Sequence, residues 1–345
     1  MWMRGGTSKG AYFLAEHLPQ ELQARDKLLL DIMGSPDVNQ IDGIGGAHPL
    51  RSKVAIVERS KTPGIDIDFV FAQVAVNEPL VDTSPNCGNI LAGVAPFAIE
   101  RGLITAKDGE TTVRVKTLNT GTVADLIVET PGGVVRYSGD ARIDGVPGTA
   151  APIKIDFLDV AGSVCGSLFP TGHLQDVVRG VAVTCIDNGM PVVVVAAQAL
   201  GRTAYETVEA LNADSELKTR LEAVRLAAGA LMGLGDVAKK VVPKMSLIAA
   251  AQNGGAVATR TFIPHACHTS IGVFGAVSVA TACVLPGTVT AGIATVPVGD
   301  DILLSIEHPT GEFTVHLELE QGAVKGAGLL RTARKLFDGE VFGRD

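Results

Sequence analysis

Short apolar runs separated by glycine-rich turns predict a chain built mainly of β-strands. In the first half, the segments RSKVAIVE (51–58), DIDFVFAQVAV (66–76) and TTVRVKTLN (111–119) have the β-branched and aromatic content typical of strands. The segment TVADLIVETPGGVVRYSG (122–139) predicts a hairpin about Pro131-Gly132-Gly133. The later strand-like segments are PVVVVAAQAL (191–200), KMSLIAA (244–250), AVATRTFI (256–263) and FTVHLELEQGAVKGAGLL (313–330).

Two further segments are apolar on every side and predict buried helices. NCGNILAGVAPFAIERG (86–102) predicts a helix over about 87–101, and HTSIGVFGAVSVATACVL (268–285) predicts a second over about 269–284. A helix with almost no polar face must be surrounded by protein. The charged, leucine-spaced segment 214–233 predicts instead an amphipathic surface helix, with Asp214 or Ser215 as its cap.

An internal repeat relates the two halves of the chain. The interval from Met3 to Cys87 equals the interval from Cys185 to Thr269, and SKVAIV (52–57) is echoed by PKMSLI (243–248). We therefore predict an α+β fold of two similar domains, each a twisted, mostly antiparallel sheet wrapped around a central helix. The predicted domains are 1–166 and 167–328, and the predicted final segment, 329–345, returns to the first domain.

Composition and charge narrow the class of protein. A chain of 345 residues suits two domains, and no apolar run approaches the roughly 18 residues of a membrane span. A net charge of −8 disfavours nucleic acid as a partner. Five scattered cysteines and the absence of a signal-like start predict reduced thiols and a cytoplasmic location. A homodimer is the default expectation for its assembly.

Cys87 opens the first buried helix, where a packed thiol has no special reason to lie. The unpaired N–H groups of a first helical turn favour a thiolate or a bound carboxylate. If the two helix starts face one cleft between the domains, they form an anion site that needs no metal or cofactor. Two loops add donors to this predicted site: Arg4, Thr7, Ser8 and Lys9 in the first, and Arg51, Ser52 and Lys53 in the second. HACH (265–268) lacks a second ligand pair, so no metal is predicted.

Five blocks of the sequence resemble the PrpF family, whose members are relatives of diaminopimelate epimerase. The blocks are MRGGTSKGAYF (3–13), MGSPDVNQIDGIGGAHPLRSKVAIV (33–57), NCGNILAGVAPFAIERGL (86–103), CIDNGMPVV (185–193) and FIPHACHTSIGVFGAVSVATA (262–282). The resemblance implies the diaminopimelate epimerase fold, with an active site in the interdomain cleft and no cofactor.

The resemblance also implies residue roles. Lys53 matches the family's base lysine, and Cys87 matches its cysteine, which donates a proton or helps to hold a carboxylate. Asn86, Gly88 and Asn89 would bind a substrate anion beside Cys87, and His268, Thr269 and Ser270 would bind substrate at the second helix. Thr269 stands where the epimerase relatives carry a second cysteine, which disfavours racemisation by two opposed thiols.

Within the family, the sequence is most similar to isomerases of 4-oxalomesaconate from the breakdown of protocatechuate, gallate and lignin-derived aromatics. The implied reaction is a 1,3-allylic proton shift giving 2-keto-4-carboxy-3-hexenedioate, or a keto–enol tautomerisation, with a small unsaturated tricarboxylate as substrate. The first alternative is an isomerase of 2-methylaconitate, aconitate or methylitaconate. The second is a non-catalytic anion-binding protein.

Overall fold

The strand-like segments form mixed β-sheet in each of two units. A computed structural model describes residues 1–158 and 160–344. Its two units are Met1–Leu158 with Leu330–Asp345, called unit 1, and Asp159–Leu329, called unit 2. The strands of unit 1 are, in order of pairing, β17 (Ala333–Phe337), β1 (Trp2–Gly5), β2 (Ser8–Leu14), β3 (Lys53–Arg59), β4 (Ile67–Val74), β6 (Gly109–Thr117), β7 (Val123–Thr130) and β8 (Ile153–Phe157), with β5 (Val81–Asp82) paired to β4.

Unit 2 repeats this arrangement of strands. Its strands are, in order of pairing, β9 (Asp176–Val178), β10 (Val181–Asp187), β11 (Pro191–Ala196), β12 (Lys244–Ala249), β13 (Val257–Phe262), β14 (Asp301–His308), β15 (Gly311–Glu320) and β16 (Ala323–Arg331). Each unit contains an antiparallel hairpin, β1–β2 or β10–β11. In both units this hairpin is followed by a parallel, an antiparallel, a parallel and then two antiparallel pairings. The predicted α+β architecture is therefore confirmed.

Helices pack on the sheets of both units. The helices are α1 (Leu22–Met33), α2 (Gly88–Leu91), α3 (Val94–Glu100), α4 (Val208–Ala213), α5 (Ser215–Leu231) and α6 (Val273–Val284). In unit 1, α2 contacts β1, β2 and β3, whereas α1 covers the other face in a core that includes Trp2, Leu29 and Val54. In unit 2, α6 contacts β10, β11, β14 and β15. Within the described ranges, none of these helices combines the length and apolar character needed to cross a bilayer.

The first buried helix is interrupted where a continuous helix over 87–101 was predicted. The Tyr12 hydroxyl donates to the carbonyl of Ile90 at 2.6 Å, and the Gly93 amide donates to the same carbonyl at 3.1 Å. A Cβ at position 93 would overlap the Tyr12 hydroxyl, so only glycine fits against the phenol. The helix therefore tightens at Ala92–Gly93 and separates into α2 and α3.

The second buried helix begins later than predicted. It starts at Val273 rather than at Thr269, because the preceding residues are held in a loop. The Thr310 hydroxyl donates to the carbonyl of Thr269 at 2.8 Å, and the Ser270 amide donates to His268 Nδ1 at 2.9 Å. These bonds replace the helical ones that Thr269 and Ser270 would otherwise make.

The predicted hairpin about Pro131-Gly132-Gly133 is wrong. These residues form a single 3₁₀ turn with φ values of 64° at Gly132 and 76° at Gly133, after which the chain leaves the sheet. Strand β8 takes the place beside β7 instead. The predicted surface helix is confirmed as α5, and Asp214 is its cap, accepting the Leu217 amide at 2.9 Å.

Candidate active site

Lys53 is a buried lysine at the start of a buried strand. Lys53 is the first residue of β3, and only 7% of its surface is exposed. The apolar run after it fixes β3 between β2 and β4, where Lys53 pairs with Gly10 on one side and with Gln73 on the other. Cross-strand partners point to the same face of a sheet, so the Gln73 side chain lies beside that of Lys53.

The Lys53 ammonium has neutral neighbours. Its Nζ donates to Gln73 Oε1 at 2.7 Å and lies 4.9 Å from the centroid of the Phe71 ring. Among the described residues it forms no ion pair with a carboxylate. The side chain of Lys53 therefore lies between an uncharged amide and an aromatic ring, which leaves it available for contact with a substrate.

The glycine-rich segment forms the β1–β2 hairpin, with Gly6 and Thr7 at its turn. A Cβ at Gly5 would overlap the carbonyl oxygen of Asn89, and a Cβ at Gly10 would overlap that of Lys53. Both glycines thus permit a close backbone approach, of β1 to α2 and of β2 to β3. The result places the start of α2 and the side chain of Lys53 on the same face of the sheet.

Cys87 lies at the start of α2, as predicted from its position in the sequence. Its thiol is half-buried, and its carbonyl accepts the Leu91 amide at 2.9 Å. The side-chain amide of Asn89 donates through Nδ2 to the Thr7 hydroxyl at 3.0 Å, which connects α2 to the hairpin turn. Burial raises the pKa of Tyr12 well above its usual value, and the charge of a Cys87 thiolate would add to the rise. The Tyr12 phenol therefore stays neutral near pH 7.

Ser8 and Asn86, two further residues of unit 1 that were predicted to bind substrate, differ in their hydrogen bonding. Ser8 is 1% exposed, and its hydroxyl has no hydrogen-bond partner among the described residues. A buried hydroxyl without a partner costs about 1–3 kcal/mol, so Ser8 is a candidate for a bond to substrate. The side-chain amide of Asn86 already has a hydrogen-bond partner within the protein, because Nδ2 donates to the Thr120 hydroxyl at 2.6 Å.

Arg4 and Lys9 lie on the opposite face of the sheet from Lys53. They are cross-strand partners, and they line a cavity of about 540 Å³ together with Arg334, the partner of Arg4 on β17. Arg4 also donates to the carbonyls of Gly6 and Thr332, at 2.8 and 3.0 Å. Alternation along β2 directs Ser8 and Gly10 to one face and Lys9 to the other.

The loop before β3 supports Lys53 through residues that sequence reasoning missed. Ser52 is fully buried, and its hydroxyl accepts from Gln40 Nε2 at 2.7 Å, whereas Arg51 is exposed. Gln73 Nε2 donates to the carbonyl of Ser52 at 2.8 Å. Gln40 lies in the second of the five sequence blocks but was given no role there, and Gln73 lies in none of the blocks. Only the buried, alternating pattern around Gln73 could have indicated that its side chain faces Lys53.

The predicted residues of unit 2 lie in the loop before α6. Ser270 Oγ is 3.2 Å from His308 Nε2, and Thr269 and His268 are exposed. Burial raises the pKa of Cys267 to about 11, so this thiol is neutral near pH 7. In the part of the chain that the structure describes, no group of three or more His, Cys, Asp or Glu side chains could hold a metal ion.

Comparison with known proteins identifies the family. The family described as PrpF protein matches residues 1–344. The 4-oxalomesaconate tautomerase of Pseudomonas putida is 60% identical over 344 residues, covering 99% of this chain and 95% of that protein. The (4E)-oxalomesaconate Delta-isomerase of Novosphingobium sp. is 60% identical over 343 residues, covering 99% and 96%. The crystal structure of methylitaconate-delta-isomerase has a TM-score of 0.85 at 34% identity, covering 98% of this chain and 93% of that one.

These relatives define the protein as an isomerase with the diaminopimelate epimerase-like fold. The chain belongs to the PrpF family. The fold and the family implied by the five sequence blocks are thus confirmed.

Proposed function

We propose that this protein isomerises 4-oxalomesaconate by moving a proton between two carbon atoms of the substrate. The observation that carries the proposal is the buried Lys53 ammonium, which is held by a neutral amide and not by a carboxylate. Two relatives at 60% identity, each aligned over almost their whole length, are named for reactions of this substrate. A small tricarboxylate also suits a site that offers a lysine, a buried hydroxyl and a half-buried thiol.

The proposed step needs no oxidant or cofactor. Neutral Lys53 takes a carbon-bound proton, and the electrons of that C–H bond form a new C=C bond. The electrons of the original C=C bond then form a C–H bond at the far carbon, with the proton returned by Lys53. The Ser8 hydroxyl would donate to a substrate oxygen that gains charge on the way, because its oxygen has no partner among the described residues.

Reaction in D₂O followed by NMR tests the proposal. We expect the wild-type protein to convert 4-oxalomesaconate and to place hydrogen at one new carbon with one stereochemistry. If one lysine both removes and returns the proton, about a third of the product keeps protium, because an ammonium carries three equivalent protons. Racemic deuterium on carbon, or a product with no new C–H or C–D bond, would indicate simple keto–enol exchange and exclude the allylic shift.

A panel of substrates distinguishes the alternative activity. Relatives named 3-methylitaconate isomerase, from Eubacterium barkeri, and 2-methyl-aconitate isomerase, from Cupriavidus necator, are each 34% identical to this chain. We expect kcat/KM for 4-oxalomesaconate to exceed that for these two compounds and for aconitate. A higher value for any of the three would reassign the substrate while keeping the reaction class.

We propose that Cys87 holds a substrate carboxylate and that the thiol does not donate the proton. The Cys87→Ser variant is then expected to keep kcat within about fivefold of wild type while KM rises about tenfold. Steady-state kinetics measure both constants, and Cys165→Ser is the matched control, since Cys165 is a half-buried thiol of unit 2. A fall in kcat of two orders of magnitude or more would instead make Cys87 the proton donor.

A further inference from the structure

Gln73 contacts the proposed base directly. Its Oε1 accepts from Lys53 Nζ at 2.7 Å, and the two residues are cross-strand partners on β4 and β3. Gln73 belongs to no recognisable sequence motif, and between Ala72 and Val74 it has the sequence context of an ordinary strand residue. Its contact with Lys53 follows only from the pairing of the two strands.

The orientation of the Gln73 amide is fixed by its other bonds. Nε2 donates to the carbonyl of Ser52 at 2.8 Å and to that of Pro49 at 3.0 Å. A flipped amide would set its oxygen against two carbonyl oxygens and its NH₂ group against the Lys53 ammonium. All three contacts would be lost, so Oε1 must face Lys53.

The loop that receives these bonds is itself anchored. Gln40, which is 1% exposed, donates through Nε2 to the hydroxyls of Ser52 and Ser35, at 2.7 and 3.0 Å. Its Oε1 accepts the Ala47 amide at 2.9 Å. The carbonyl of Ser52 also accepts the Val74 amide at 3.1 Å. Gln73 is therefore held by a network of hydrogen bonds and has little freedom to follow a moving lysine.

The two neighbours of Nζ restrict the direction of its lone pair. A carboxamide oxygen accepts hydrogen bonds and cannot donate one, so it must receive an N–H of neutral Lys53. The face of the Phe71 ring, 4.9 Å away, carries partial negative charge and also favours an N–H. Both neighbours exclude the lone pair from their sides, which leaves it directed away from the Gln73 amide and the Phe71 ring.

We propose that Gln73 is a positioning residue that orients the Lys53 amine for proton transfer without fixing a proton on it. The inference rests on the proposed role of Lys53 as base. A glutamate at the same place could also accept from Nζ, but its charge would hold the proton on nitrogen, and its second oxygen would face the carbonyls of Ser52 and Pro49. The neutral amide is thus the feature that allows orientation and proton release together.

The Gln73→Glu variant tests this inference through the pH dependence of kcat/KM. An opposite charge in contact with the ammonium should move the acid limb of the profile to higher pH by about one to three pH units. At pH values below the limb, activity should fall by about 10- to 1000-fold and recover as the pH rises. Gln20→Glu is the matched control, because it makes the same charge change at an exposed residue of unit 1.

Two further measurements separate positioning from a structural effect. In Gln73→Leu we expect kcat to fall about tenfold with a smaller change in KM, since orientation is lost but no charge is added. The ¹³Cε signal of Lys53, assigned by its loss in Lys53→Met, should titrate at higher pH in Gln73→Glu than in wild type. This NMR titration needs no turnover, so it remains informative even if 4-oxalomesaconate proves not to be the substrate. An unchanged titration and an unchanged acid limb in Gln73→Glu would overturn the inference.

Discussion

Replacing Lys53 with methionine is expected to lower kcat by about 10²- to 10⁴-fold, the usual contribution of a positioned base. Methionine keeps an unbranched apolar stem next to Phe71, so the fold of unit 1 should survive. The loss leaves Gln73 Oε1 without its donor, which costs about 1–3 kcal/mol in the free energy of unfolding. Steady-state kinetics and thermal unfolding measure the two effects separately.

The Lys53→Arg variant separates a base from a group that only binds an anion. Arginine keeps the positive charge but does not give up its proton in proteins, so a site that needs a base should lose turnover as fully as in Lys53→Met. Lys61→Met is the control for the change in net charge, because Lys61 is an exposed lysine of the same unit. If either Lys53 variant kept more than about a tenth of the wild-type kcat, Lys53 would not be the base.

Local patterns predicted much of the fold. Strands β3, β4, β6, β7, β11, β12, β13, β15 and β16 each lie within or largely overlap a segment chosen for its apolar, β-branched content. Helix α5 and its cap, Asp214, were also predictable, because a leucine-spaced apolar face and a capping carboxylate are both read from neighbouring residues. The amphipathic helix α1 was missed, although the segment Leu22–Met33 has a comparable pattern.

Features set by distant contacts could not be predicted. The break between α2 and α3 depends on the hydroxyl of Tyr12, a residue of strand β2, which donates to the carbonyl of Ile90 in α2. The failure of the hairpin after β7 depends on β8, which competes for the same position beside that strand. In both cases a partner distant in sequence decides the outcome, and no window of neighbouring residues contains it.

In the candidate site, too, some features could be predicted from neighbouring residues and others depend on the fold. Lys53 and Cys87 were chosen from sequence blocks, and the structure gives each a setting that suits its proposed role. Arg4 and Lys9 were grouped with Ser8 because the three are close in sequence, yet alternation along the hairpin directs them to the other face of the sheet. The assignment of substrate-binding residues, the interdomain cleft, the homodimer and the cytoplasmic location stay predictions.

Gly10→Ala is expected to lower kcat by about 100-fold, although Gly10 carries no chemical group. A Cβ at this position would overlap the carbonyl oxygen of Lys53 and lie 2.9 Å from its carbonyl carbon and 3.2 Å from its Cβ. Because the obstacle is backbone, β2 and β3 must separate before alanine fits. A displacement of about 1 Å at a reacting group can cost about 10²-fold in rate, and Lys53 is the residue that must move.

The same substitution should also destabilise unit 1, since overpacking a close backbone contact typically costs about 1–3 kcal/mol. Gly339→Ala is the matched control, because Gly339 is exposed and an added Cβ there meets no atom within 4 Å. Kinetics at a temperature well below the unfolding midpoint separate lost activity from lost fold, and circular dichroism verifies that the variant is folded. We expect Gly10→Ala to be folded at that temperature and still slow, with KM changed less than kcat. Wild-type kcat in this variant would show that the β2–β3 contact does not set the position of Lys53, and that the glycine serves the hairpin alone.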